Sequence, residues 1–181
     1  MRFGRNISFA GLISTATAQL DTILLWHTAG PAALASYAFA QATTTPAKTF
    51  MKSLLHIALP KFAEKDIAEI RETIHKKVLR SYLIFLPTTV LYIAVLPILY
   101  HIFFPNYIET IRYAQAFGLI FLFFPLKLYS MVVISRTNRI PTYWLNTVNP
   151  IVHAILFVIL IPLFGIWGAV SAILIEYVFS T

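Results

Sequence analysis

Long apolar runs separated by short polar segments are the main pattern in this chain. A helix needs about 20 residues to cross a bilayer. Five runs reach that length and a sixth is shorter; their bounds are 7–27, 32–59, 78–104, 111–135, 143–164 and 166–181. The pattern therefore predicts an all-α fold, a polytopic transmembrane helix bundle of about six spans in a single domain over 1–181.

One connection between the spans is long and charged. Residues 61–77 mix both signs of charge with Ile67, Ile70 and Ile74 at helical spacing. This pattern is typical of an amphipathic helix at the membrane interface.

Prolines interrupt two of the predicted spans. Pro87 and Pro97 lie in the third span and Pro125 in the fourth. A proline kinks a spanning helix and frees a backbone carbonyl, which a neighbouring helix can satisfy.

Composition assigns the chain to the membrane proteins. It is 59% hydrophobic and 12% charged, whereas soluble domains are about 25% charged. Cysteine is absent, so the sequence offers no disulfide framework.

The net charge of +7 is better explained by the orientation of the chain in a membrane than by binding to nucleic acid. Two bases precede the first span, six lie within 61–80, and Arg136 and Arg139 separate spans four and five. Alternate connections are nearly free of bases, so the positive-inside rule places these segments and the N-terminus in the cytoplasm.

The second span carries a polar stripe that lipid would not accept. Its members share one helical face at spacings of three or four: Tyr37, Gln41, Thr45, Lys48, Lys52 and His56. An ammonium group at the bilayer centre costs about 2.5–3.5 kcal/mol on insertion scales. The stripe therefore predicts a positively charged interior, filled by water or lined by protein.

Weaker polar patterns occur in the other spans. They are Ser14, Thr17 and Asp21 in the first, Thr88, Tyr92 and Tyr100 in the third, Lys127 and Ser130 in the fourth, Thr142, Asn146, Asn149 and His153 in the fifth, and Glu176 in the sixth.

Each of these groups also has a purely structural interpretation. Hydroxyls in spans often bond their own helix, and asparagines can join helices. The histidines can be packed polar groups, and Lys52 and Lys127 can reach towards the membrane surface. Asp21 can serve as an ion-pair partner of Lys48.

Catalysis has little support in the sequence. No Ser/His/Asp set, Gly-rich phosphate loop or His/Asp/Glu cluster at metal spacing occurs. We therefore expect a protein that is not an enzyme, with no catalytic residues, metal or cofactor.

Four segments together resemble a known family. They are DTILLWHTAGPAALASYAFA, LPKFAEK, HIFFPNYIET and NTVNPIVHAILFVILIPLFGIWGAVSAILIEY, of which residues 163–169 are the most specific. Together they resemble the C-terminal half of Wzx-type O-antigen and polysaccharide flippases of the MOP superfamily, which are related to MATE exporters and lipid II flippases. Phe104-Pro105 departs from the glycine that many members carry there.

The resemblance implies one lobe of a two-lobed transporter, with a missing N-terminal lobe as partner. Such proteins lie in the bacterial or archaeal cytoplasmic membrane. They move a lipid-linked (polyprenyl diphosphate) oligosaccharide across it for O-antigen or surface polysaccharide synthesis.

The resemblance and the polar pattern together suggest roles for individual residues. Cations would offset the charge of the diphosphate, hydrogen-bonding groups would contact sugar hydroxyls, and Asp21 would carry a coupling proton or sodium ion. The cations are Lys48, Lys52 and Lys127, and the hydrogen-bonding groups are Tyr37, Gln41, Asn146 and Asn149.

Three other functions stay open at this point. A MATE-like cation-coupled multidrug exporter would need more carboxylates than lysines in its cavity. A membrane enzyme of glycan or lipid assembly would need large polar loops. A scaffold that transports nothing is the third alternative.

Overall fold

All regular structure in the part of the chain described is helical. The computed structural model describes residues 19–64, 67–127 and 140–179. The elements are α1 (Leu20–Glu64), α2 (Ile67–Phe103), a 3₁₀ segment (Pro105–Thr110), α3 (Ile111–Gly118), a second 3₁₀ segment (Leu119–Phe123), α4 (Ile140–Phe164) and α5 (Ile166–Phe179). The predicted all-α fold is confirmed for these residues.

The chain divides into two compact units. The first contains the described residues 19–35 and 140–179, and the second contains 36–64 and 67–127. The single domain over 1–181 stays a prediction.

A glycine interrupts α1 where the sequence predicts the turn between spans one and two. Gly30 has φ 84° and ψ 174°, outside the helical region. Only glycine adopts this conformation without strain. Pro31 follows, and its fixed φ suits the first position of a helix. The predicted second span, 32–59, is helical throughout, and the helix continues to Glu64.

The charged linker and the third span form one helix. α2 runs without a break from Ile67 to Phe103, so the second half of segment 61–77 is continuous with the span predicted at 78–104. The helical character of that half is confirmed, and its place at the membrane interface stays a prediction. Ile74 and Val78 are buried at the start of the apolar part.

One helix in the described residues is long and apolar enough to cross a membrane. It is Ile74–Phe103, and only 11% of its most apolar stretch is buried within the chain. A core helix of a soluble protein would be mostly buried, so this exposure indicates a membrane segment. Pro150–Phe164 and Ile166–Phe179 are shorter apolar helices. The count of six spans stays a prediction.

A neighbouring helix satisfies the carbonyl that Pro97 leaves without a partner. In a regular helix the amide of residue 97 would bond the carbonyl of Ile93, and proline has no amide hydrogen. Gln115 of α3 fills this role, because its side-chain Nε2 donates to the Ile93 carbonyl at 3.0 Å. The expectation that a neighbouring helix satisfies a proline-freed carbonyl is confirmed here.

We expect Gln115→Ala to lower the free energy of unfolding by about 1–3 kcal/mol, because it leaves the Ile93 carbonyl unpaired in an apolar environment. Reversible unfolding in detergent would measure the loss. In a Pro97→Ala background the helix can supply its own amide, so the same Gln115 change should cost clearly less. Equal losses in the two backgrounds would contradict this account.

The predicted fourth span, 111–135, is not one continuous α-helix. α3 ends at Gly118, a 3₁₀ segment follows to Phe123, and residues 128–135 lie outside the described residues. Pro125 supplies the reason, since it cannot donate to the Phe121 carbonyl. The amide of Phe124 bonds that carbonyl instead, at 3.3 Å, and the amide of Lys127 bonds Phe124 at 3.1 Å. The chain therefore tightens into the narrower helix type.

Helices α4 and α5 form a hairpin that corresponds to the predicted spans at 143–164 and 166–181. Gly165 turns the chain with φ 57°, and its amide bonds the Ile161 carbonyl at 2.8 Å. Next to the turn the backbones approach closely: a Cβ on Gly168 would lie 2.0 Å from the Leu160 carbonyl oxygen. The two glycines thus permit the turn and the close approach of the helices within residues 163–169.

Candidate functional site

Two residues of the polar stripe contact one aromatic ring in the second unit, and a third bonds one of them. The ammonium nitrogen of Lys48 lies 5.5 Å from the centre of the Phe117 ring. The Tyr37 ring lies 5.8 Å from the same ring, centre to centre, and the Gln41 amide donates to the Tyr37 hydroxyl at 3.3 Å. We call Tyr37, Gln41, Lys48 and Phe117 the Lys48 site.

Helical spacing explains why the stripe residues share this face. Tyr37 and Gln41 are one turn apart, and Lys48 follows two turns after Gln41. Tyr37 is 1% exposed and Phe117 is fully buried, whereas Lys48 is half-buried. The cation therefore lies at the edge of a packed aromatic contact, not on a fully exposed surface.

Phe117 lies next to a residue that packs against α2. Its neighbour Gly118 packs under the ring of Tyr92, where an added Cβ would lie 2.6 Å from a ring carbon. The Tyr92 hydroxyl lies 2.7 Å from Thr43 Oγ1. Because Thr43 donates its only hydroxyl proton to the Ala40 carbonyl, Tyr92 is the donor in this bond. Tyr92 thereby links α2 to α1 beside the site.

The chemistry of the Lys48 site suits an anion with attached polar groups. An ammonium within about 6 Å of a ring face gains about 0.5–2 kcal/mol, more when desolvated. An ammonium group carries three N–H donors, the kind of group that binds an anionic oxygen. The half-buried amide of Gln41 lies on the same helical face and can pair with hydroxyl groups, whereas Tyr37 is buried and positions that amide. This arrangement is a cationic group beside neutral hydrogen-bonding groups.

The other predicted site residues are placed less fully. Lys127 is half-buried just after the second 3₁₀ segment, and its membership of the Lys48 site stays a prediction. The side chains of Lys52, Asn146 and Asn149 lie outside those that the structure describes.

Asp21 lies in the first unit and is 7% exposed. Its carboxylate accepts from the Thr22 amide at 2.7 Å and from the Thr22 hydroxyl at 3.2 Å. An acidic group in the first turn of a helix is stabilised by the helix dipole. Its pairing with Lys48 and its role with a coupling ion both stay predictions.

Several hydroxyls have the structural role that the sequence left open. Thr28, Thr45 and Thr88 each donate to the carbonyl four residues earlier in their own helix, at 2.7, 3.1 and 2.7 Å. Thr45 lies on the polar stripe but is exposed. It is therefore not part of the Lys48 site.

Sequence reasoning missed two features of the described chain. Phe117 was not singled out, because it is one of fifteen phenylalanines and nothing in its local sequence marks it. The contact between His153 and Glu176, 2.5 Å from Nδ1 to Oε2, was also not foreseen. Its signal was present, since both are isolated ionisable residues in apolar helices.

No group of three or more His, Asp or Glu side chains among the described residues could hold a metal ion.

The described residues are all-helical, with an exposed apolar helix of membrane length and a half-buried cation, and these features indicate a helical membrane protein. A sequence profile of the polysaccharide biosynthesis protein family matches residues 1–111 of the 181. The chain therefore belongs to the polysaccharide biosynthesis protein family. No curated protein and no solved structure matches the chain.

Proposed function

We propose that this protein is a flippase that moves a lipid-linked oligosaccharide across the cytoplasmic membrane during surface polysaccharide synthesis. Membership of the polysaccharide biosynthesis family supports the pathway. The apolar helices support a role within the bilayer. The protein acts by binding and translocation, without bond chemistry.

The Lys48 site is the observation that carries the proposal. A lipid-linked sugar carries a diphosphate, whose charge must pass through a region of low dielectric. Lys48 offsets the desolvation of that charge through a charge-assisted hydrogen bond. Gln41, on the same helical face, bonds the hydroxyls of the first sugars, and the buried Tyr37 positions its amide. Lys52 and Lys127 extend the cationic path, and Asn146 and Asn149 contribute further hydrogen bonds to sugar.

The remaining parts of the proposal concern driving force and assembly. Asp21 carries the coupling proton or sodium ion, or stabilises a lysine. A second six-helix lobe completes the cavity, and the proline-containing segments around Pro97 and Pro125 act as hinges between states.

Lys48→Ala, introduced into the whole protein in its host, should lower surface polysaccharide at least about tenfold. The reason is that a hydrogen bond to a charged group contributes about 1.5–3 kcal/mol, and 1.4 kcal/mol is a factor of ten. Lys48→Arg should retain much of the output. Immunoblotting must show equal protein in the membrane.

Lys76→Ala is the matched control, since Lys76 is an exposed lysine of α2. It removes the same charge from the chain and should leave polysaccharide output near normal. Undiminished output in Lys48→Ala would remove Lys48 from the mechanism.

A MATE-like exporter of cationic drugs is the second candidate, because the superfamily resemblance includes such exporters. Its cargo would be repelled by Lys48. If Lys48→Ala increased export of a cationic dye while surface polysaccharide stayed normal, the exporter would replace the flippase as the better account.

A further inference from the structure

The α4–α5 hairpin contains one isolated acid and one isolated base. Between residues 140 and 179 the sequence has no Lys, Arg or Asp, one histidine and one glutamate, His153 and Glu176. They are separated by 23 positions. Two ionisable groups in so apolar a stretch are costly, and such groups usually pair.

The hairpin brings His153 and Glu176 to similar distances from the turn, on neighbouring helices. Gly165 turns the chain, and at 1.5 Å per residue His153 lies about 18 Å before it and Glu176 about 17 Å after it. The close approach of Gly168 to the Leu160 backbone brings the helices together near the turn. The pair therefore joins the two helices well away from the turn, in the last turn of α5.

The contact itself is short and partly shielded. His153 Nδ1 lies 2.5 Å from Glu176 Oε2, with side chains 18% and 28% exposed. The imidazole stands edge-on to the ring of Phe157, centroids 4.1 Å apart, and Phe157 is fully buried. Tyr177 is next to Glu176 in sequence, and the first unit also carries Asp21 and His27 in α1.

Charge counting favours one proton for the pair. With one proton, the pair is neutral overall, either as imidazolium with carboxylate or as imidazole with carboxylic acid, and the proton lies in a charge-assisted hydrogen bond. Removing it leaves a net negative charge, and adding a second leaves a net positive one. Either net charge is costly in apolar surroundings.

We propose that His153 and Glu176 form a proton-binding site, which holds one shared proton in the contact that joins the two helices of the hairpin. The site is distinct from the Lys48 site and does not depend on the proposed flippase function. A hydrogen bond with a purely structural role would tolerate neutral replacements without any change in the response to pH. The proton site predicts such a change.

The test is the pH dependence of thermal unfolding for the full chain in detergent, between about pH 5 and 8, where imidazole exchanges protons. In Glu176→Gln a protonated His153 has no carboxylate partner on α5, so Tm should fall as pH is lowered. In His153→Gln an ionised Glu176 has no imidazolium partner on α4, so Tm should fall as pH is raised.

The two single variants should therefore show opposite changes of Tm with pH, each of about 5–10 °C between about pH 5 and 8. The double variant and the wild type should be much flatter than either. His27→Gln, which removes an exposed histidine of the same unit, should behave like the wild type. Slopes of the same sign in both single variants, or no difference from the wild type, would overturn the proposal.

Nuclear magnetic resonance of the wild type covers the case in which a variant does not fold. With ¹⁵N-histidine labelling, His153 should show a protonation response that differs from those of the exposed histidines. A His153 resonance that responds to pH as they do would also overturn the proposal.

Discussion

Phe117→Ala should lower the free energy of unfolding by about 3–5 kcal/mol, the range for truncating a buried phenylalanine. Phe117 is fully buried, and its ring contacts both Tyr37 and the Lys48 ammonium. The substitution leaves a cavity where the middle of α1 meets α3. It also removes the ring that positions the cation, so polysaccharide output should fall together with stability. Equilibrium unfolding in detergent measures the first effect.

Phe103→Ala is the matched control, because Phe103 is 64% exposed within the chain. Its cost should stay well below that of Phe117→Ala. Phe117→Leu separates packing from the ring–cation contact. It keeps most of the volume, so stability should largely recover while the loss of function remains. Equal losses in the free energy of unfolding for Phe117→Ala and Phe103→Ala would contradict the buried position of Phe117.

Gly168→Ala should lower the free energy of unfolding by about 3 kcal/mol, at the upper end of the range for overpacking. In an ordinary helix this change would be favourable by about 1 kcal/mol, because alanine is the better helix former. Here the added Cβ would lie 2.0 Å from the Leu160 carbonyl oxygen and 2.5 Å from its carbonyl carbon. Both atoms are backbone, so α4 and α5 must move apart.

Gly118→Ala provides the comparison. Its added Cβ would meet ring carbons of Tyr92 at 2.6 and 2.7 Å, and a side chain can rotate away where a backbone cannot. We therefore expect a smaller loss than for Gly168→Ala, measured by the same unfolding experiment. A stabilising effect of Gly168→Ala would contradict the close approach of the two helices.

The local consequences of proline and glycine could be read from the sequence in part. The turn near Gly30 and the helical hairpin at 143–164 and 166–181 follow from residue type and apolar length, and the structure has helix breaks at Gly30 and Gly165. The 3₁₀ segment before Pro125 was not predicted. A proline inside an apolar run is compatible with a kinked α-helix or with a tighter one, and packing decides between them.

Only the residues that α1 contributes to the candidate site were predictable from the sequence. The stripe from Tyr37 to Lys48 lies on one face of one helix, and helical periodicity alone places its members together. Phe117 comes from another helix and is chemically ordinary, so periodicity could not select it. Likewise Gln115 is an unremarkable residue until the kink at Pro97 exposes the Ile93 carbonyl beside it.

The sequence by itself determined the all-helical class, the apolar character and the presence of cations that lipid cannot accommodate, because these depend on residue type and spacing along one chain. Only the tertiary structure decided which ring lies under Lys48, which amide satisfies Ile93 and which acid meets His153. Those contacts join residues tens of positions apart, and their existence depends on how helices pack, which a period of 3.6 residues does not encode.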